Sequence, residues 1–162
     1  ILVTQNETNA QAAAAKMGSK LGFRVCYAAA PFDASSVKAV LPYLDFLILN
    51  EVEAEQLETA LERKIEDLNV ADIIVTLGSK GARWINSAFG ADQHFEALKV
   101  TPIDTTGAGD TFTGYVLSAL DRGLTMGQAI SLAMRAAALM VTRMGTADVI
   151  PDLKEVEEFA GV

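Results

Sequence analysis

Cysteine and histidine are almost absent from this sequence. One of each occurs in 162 residues, with four prolines, one tryptophan and only 7% aromatic residues. A solitary Cys26 excludes an intramolecular disulfide framework and a cysteine-based zinc cluster. It fits a reducing compartment, so a cytoplasmic location is expected. His94 has no partner at ligand spacing and is read as a structural residue. Basic residues are also scarce, 13 against 21 acidic ones, for a net charge of −8. Neither non-specific nucleic-acid binding nor attachment to an anionic membrane is therefore expected. The most apolar stretch, near 129–141, carries Arg135 and is too short to cross a bilayer. No signal peptide, repeat, linker or low-complexity tract is visible. The chain opens on Ile1 rather than methionine, which raises the expectation that it is part of a longer polypeptide.

What is present is apolar and patterned. At 51% hydrophobic residues, the chain can bury one substantial core, and a single domain over 1–162 is expected. Ile1–Thr4, Phe23–Ala28, Phe46–Leu49 and Asp72–Leu77 read as strands, and 7–21 and Glu51–Leu61 as helices. Ala30–Ser36, with Pro31, reads as a loop. Ala82–Asn86 and Gln93–Ala97 read as a hairpin or meander. Two helices follow over 107–122 and 125–143, the second apolar nearly all round, and a short acidic helix closes the chain after Pro151. Strand–helix alternation in the first half predicts a parallel sheet with helices on its faces, an α/β fold. In such sheets, sites form where strands end and helices begin.

The most informative run is Asp104-Thr105-Thr106-Gly107-Ala108-Gly109-Asp110. Three small residues at a helix start leave backbone N–H groups uncovered, and such groups attract phosphate. Asp110 then falls in the first helical turn. A carboxylate beside an anion site repels the anion unless it has a task, and a general base for an attacking hydroxyl is such a task. Interaction with the helix dipole is the plain structural alternative. No Gly-Lys-Ser/Thr follows, so this is not a Walker loop, and Phe112 occupies the third glycine position of a dinucleotide fingerprint.

Three further groups lie at predicted strand ends. Asn50 and Glu53 have the spacing of a capping box, and equally of an amide and a carboxylate near phosphate-bound Mg²⁺. Thr76-Leu77-Gly78-Ser79-Lys80-Gly81 reads as a hairpin turn, or as exposed backbone for a nucleotide. Gln5 and Glu7 follow the first strand. Met134, Met140 and Met144 read as core filler. The acidic tail Asp152, Glu155, Glu157 and Glu158 reads as a solvated helix face.

Taken in order, these segments resemble the ribokinase-like, or PfkB, carbohydrate kinases over essentially the whole chain. The late Val141-Thr142-Arg143-Met144-Gly145, followed by Pro151, adds to the likeness. The resemblance implies a three-layer α/β/α fold with a mainly parallel sheet, here without the family's N-terminal part and lid. It implies ATP and Mg²⁺ as cofactors, with K⁺ as a further expectation, and a sugar as phosphoryl acceptor. Asp110 matches the catalytic base, and Gly107, Ala108 and Gly109 the anion hole. Asn50, Thr76, Gly78, Ser79, Lys80, Gly81, Gly109 and Met134 match nucleotide-binding positions. Glu53 matches an indirect Mg²⁺ contact. Glu7 and Asp110 match sugar contacts. Asp104 and Thr106, with the Arg143 and Gly145 backbone, match a monovalent-cation site, although Val149 stands where ribokinase offers a serine hydroxyl. The same fold serves kinases of nucleosides, fructose, keto-deoxy sugar acids and sugar phosphates, and a non-catalytic nucleotide-binding fragment is the alternative outside enzymology. Missing lid and sugar contacts would leave this segment alone inactive. Dimerisation through lids is a further expectation drawn from the family.

Overall fold

The computed structural model describes residues 1–159. Packing divides the chain into two compact units: Ile1–Leu77 with Arg83–His94, and Gly78–Ala82 with the chain from Phe95 onward.

The first unit carries β1 (Leu2–Gln5), α1 (Gln11–Lys20), β2 (Val25–Ala28), α2 (Ala34–Val40), β3 (Phe46–Asn50), α3 (Glu51–Leu61) and β4 (Asp72–Thr76). The six-stranded sheet runs in the order β1-β2-β3-β4-β5-β6, closed by β5 (Ala82–Asn86) and β6 (Ala91–Phe95). The first four strands are parallel, with Val3 opposite Cys26, Tyr27 opposite Leu47 and Leu47 opposite Ile73. Parallel neighbours need a long crossover, and α1, α2 and α3 supply them. The connections β4–β5 and β5–β6 are too short for a crossover, which makes the sheet mixed.

Tyr27, Leu47, Leu49, Ile73 and Val75 form one core with Ala15, Val37, Val40, Ala54 and Leu57 of the three helices. Their alternating neighbours Cys26, Phe46, Ile48 and Ile74 are buried as well. Burial on both faces explains why these strands read as continuous apolar runs rather than as polar–apolar alternation. The Arg24 guanidinium lies 4.3 Å from the centroid of the Phe46 ring, a cation–π contact.

The second unit holds the turn Gly78–Lys80, α4 (Ala108–Asp121), α5 (Met126–Met140) and α6 (Leu153–Glu158). Helices α4 and α5 pack on each other. Thr125 and Gln128 form a complete capping box at the start of α5. No helix among the described residues is long and apolar enough to cross a membrane.

Several boundaries differ from the sequence reading. The stretch read as a loop over Ala30–Ser36 gives way to helix α2 at Ala34. That helix has only 7 residues, two of them serine. Its signal was local: Asp33 caps it by accepting the Ser36 N–H at 2.8 Å, and Val37 and Val40 follow at helical spacing. Helix α1 begins at Gln11, because 6–9 form a turn. The second hairpin strand is Ala91–Phe95, two residues earlier than predicted, and α5 stops at Met140 instead of running to 143. Helix α5 is not buried all round: Ala129, Ile130, Ala133, Met134, Ala136 and Met140 are buried, while Ser131 and Arg135 are exposed. Met144, read as core filler, is 71% exposed.

Candidate functional site

In the first unit, the candidate residues lie at the carboxyl ends of parallel strands. Asn50 ends β3 directly opposite Thr76, which ends β4. The Asn50 side chain accepts the Glu53 N–H at 2.9 Å, and the Asn50 N–H donates to Glu53 Oε2 at 2.8 Å. This is a full capping box, so the structural account of the pair holds. It does not exhaust the pair. Burial pushes the Glu53 carboxyl above its ordinary range, partly countered by the Asn50 N–H bond. A carboxylate desolvated in this way gains from a nearby cation. One carboxylate with capacity left for a second contact suits Mg²⁺, which keeps most of its waters.

Glu7 is exposed in the turn after β1. The residue beside it was missed by sequence reasoning. Asn6 donates from Nδ2 to Pro31 O at 3.0 Å and from its N–H to Ala30 O at 3.1 Å, and it accepts from Gln11 Nε2 at 2.8 Å. It therefore pins the turn that carries Glu7. Asparagine after a strand was the available signal.

In the second unit, the turn Gly78–Lys80 is closed by the Gly81 N–H donating to Gly78 O at 3.1 Å. Gly81 has φ +106°, and a Cβ there would collide with the Phe95 carbonyl oxygen. Packing alone thus demands Gly81. Gly78, at φ +57°, faces open space, and Ser79 and Lys80 are exposed.

Helix α4 starts from Gly107 at φ +78°, with no side chain capping it. Thr111 N–H donates to Gly107 O at 2.9 Å, and Ala108 N–H turns back to Thr105 O at 3.3 Å. The first-turn N–H groups of a helix have no acceptor within the helix itself. A Cβ at Gly107 would come within 2.9 Å of Met140 Cε. Met140 lies beneath the helix start, and its Sδ accepts the Thr111 hydroxyl at 2.7 Å. Gly109 is different: its φ is not positive, and a Cβ there would meet nothing within 4 Å. No packing inside the chain requires that glycine. Asp110, the third residue of the helix, is exposed beside it. Met134 is buried on α5, with 8% exposure.

Asp104, Thr106 and Gly145 come together. Asp104 Oδ1 accepts the Thr106 N–H at 2.9 Å, and Oδ2 accepts the Gly145 N–H at 3.4 Å. These bonds, the Thr106 ones foremost, hold the Asp104 carboxyl below its usual range. The Arg143 side chain is directed elsewhere, to Val149 O at 3.3 Å and Glu155 Oε1 at 2.6 Å. Glu155 was read as part of a solvated face; it is an ion-pair partner and half of the α6 capping box with Asp152. Among the described residues, no group of three or more His, Cys, Asp or Glu side chains is placed to hold a metal ion.

Chemically, the second unit offers a helix start with no side-chain cap, an open surface at Gly109 and a carboxylate in the same helical turn. That combination can receive a tetrahedral anion and accept a proton from a hydroxyl brought to it. A family model described as pfkB family carbohydrate kinase matches residues 1–153. The ribokinase of Haemophilus influenzae is 34% identical over 156 residues, covering 90% of this chain and 50% of the relative. Among solved structures, the ribokinase of Thermotoga maritima aligns with a TM-score of 0.83 at 32% identity, covering 96% of this chain and 55% of that one. Arabidopsis thaliana ribokinase, solved with ribose and ATP, aligns with a TM-score of 0.84 at 27% identity, covering 98% and 55%. The chain spans about half the length of the curated relatives it matches.

Proposed function

The chain belongs to the pfkB family of carbohydrate kinases, and from that premise we propose that it takes part in transferring the γ-phosphoryl group of ATP to a sugar hydroxyl. The observation that carries this reading is the start of α4. It has a left-handed Gly107, no side-chain cap, an unpacked Gly109 and Asp110 in the first turn. Phosphoryl transfer asks mainly for positioning and for stabilisation of charge on the transferred group. First-turn N–H groups and the positive end of the helix dipole provide the second. Asp110 accepts the proton of the attacking hydroxyl, so that the acceptor oxygen bonds to phosphorus as the bond to the leaving ADP breaks.

In this reading the positions for ATP are Asn50 and Thr76 in the first unit, and the turn Gly78–Gly81 and Met134 in the second. Mg²⁺, when bound with ATP, neutralises phosphate charge, and Glu53 would hold it through water. Ribose is the acceptor favoured by the relatives' names, with Glu7 as its contact on a turn that Asn6 fixes. Asp104, Thr106 and the backbone at Arg143 and Gly145 would hold a monovalent cation beside the helix start. The decisive experiment is coupled ADP release from the full-length protein with Mg-ATP, D-ribose and a panel of other sugars and nucleosides. Turnover on one acceptor, lost in Asp110→Asn, is the expected result. ATP binding with no turnover on any acceptor would leave a nucleotide-binding protein and defeat the proposal.

A further inference from the structure

The segment that delivers the chain into α4 is held from outside that helix. Ile103 and Asp104 N–H groups both donate to Val141 O, at 2.7 and 3.2 Å, and Asp104 Oδ2 takes the Gly145 N–H. The 141–145 turn is thus the anchor for 103–106. Arg143 anchors that turn in its own right, reaching Val149 O and Glu155 Oε1. Glu155 Oε2 closes the α6 capping box by accepting the Asp152 N–H at 2.8 Å. Pro151 O, one residue before, accepts the Tyr115 hydroxyl at 2.6 Å, which leads back to α4. The bonds form a ring: α4, Tyr115, Pro151, Asp152, Glu155, Arg143, the 141–145 turn, Asp104, and α4 again.

We propose that Glu155 is a positioning residue: through Arg143 it fixes the 141–145 turn, hence Asp104, hence the direction in which the Gly107–Asp110 helix start points. The magnitudes favour geometry over stability as its role. Arg143 and Glu155 side chains are 31% and 43% exposed, and ion pairs that open to solvent contribute little to folding. Helix α6 has 6 residues, too short to stand on its own. Its capping glutamate makes a tie to a residue outside the helix, and that tie joins the 141–145 turn, which is hydrogen-bonded to both Asp104 and α6. Misplacing reacting groups by about 1 Å costs on the order of a hundredfold in rate, so even a smaller displacement outweighs the loss of such a pair.

The inference rests on the kinase reading for its kinetic arm alone, so two readouts are taken on the full-length protein. In Glu155→Ala, amide hydrogen exchange at Thr106 and Gly145 should rise several-fold, and Glu155→Gln, whose single amide oxygen can keep the Arg143 bond, should raise it less. On turnover, Glu155→Ala should lower kcat on the order of tenfold, with KM for ATP near the wild-type value and Glu155→Gln in between. Lys64→Ala, which breaks a 2.8 Å ion pair with Glu58 in the first unit, should move neither readout. Unchanged exchange in Glu155→Ala would remove the coupling, and raised exchange with wild-type kcat would remove its consequence for the site. A wild-type protein without turnover on any acceptor defeats the kinase reading, and the exchange arm then decides the coupling by itself.

Discussion

A Cβ on Gly107 would come within 2.9 Å of Met140 Cε, whereas on Gly109, two residues on, it would meet nothing within 4 Å. The two glycines of one motif are therefore present for different reasons. Gly107 combines a left-handed φ with close packing. Gly107→Ala is expected to cost about 1–3 kcal/mol of stability, seen as a lower urea midpoint. Gly109→Ala should leave stability unchanged or raise it by up to about 1 kcal/mol, because alanine suits a helix better. If phosphate occupies the open space over Gly109, the same substitution should lower turnover on the order of tenfold or more. Wild-type turnover in Gly109→Ala would show that the space is not used.

Asp110 sits in the first turn, where a carboxylate also serves the helix dipole. The two roles separate on substitution. Losing a general base lowers kcat by about 10²–10⁴; losing a dipole interaction costs about 0.3–1 kcal/mol of stability. Asp110→Asn is expected to show the first with little of the second, and to bind ATP as well as wild type or better, since a negative charge beside the phosphates is removed. Calorimetric titration with ATP, run beside the ADP assay, checks both halves.

The parallel sheet was legible because β2, β3 and β4 are short, apolar, largely β-branched or aromatic runs and helical patterns follow β1 and β3. Helix α3 was legible to the residue, since Asn50 and Glu53 spell its capping box. Helix α2 was not, because 7 residues hold barely two turns and its cap, Asp33, stands just after a proline loop. Within the candidate site, Gly107–Asp110 could be read because backbone donors at a helix start are a local property. The tie between Arg143 and Glu155 could not. It joins residues separated in sequence, and nothing in the spacing of Glu155 distinguishes an ion-pair partner from a solvated acid.

Cys26 is fully buried on β2, and burial pushes its thiol up to about 12. A thiol so placed stays protonated at pH 8, and the thiolate is the reactive form. A disulfide reagent added to the native protein should therefore label nothing on the timescale of minutes, and one thiol per chain once denaturant is added. Rapid labelling of the native state would contradict the burial of β2.

Acid should expose the contribution of Asp33. Its carboxylate accepts the Ser35 hydroxyl at 2.5 Å, the Ser36 hydroxyl at 2.7 Å and the Ser36 N–H at 2.8 Å. These bonds, the Ser35 one first, lower its carboxyl from 3.8 to about 2. The charged form is the one that caps α2, so the folded state binds this proton less readily than the unfolded chain does. A depressed carboxyl stabilises the fold at pH values above its unfolded pKa, and that contribution is lost as pH falls through the folded value. Comparing wild type with Asp33→Ala cancels the other carboxylates to first order. The stability difference between them, from urea melts, should be constant from pH 7 down to about 5, shrink from about 4, and be smallest near pH 2. A difference that stays constant to pH 2 would mean the cap works equally well protonated, and that α2 is held by Val37 and Val40 in the core rather than by the charge at its start.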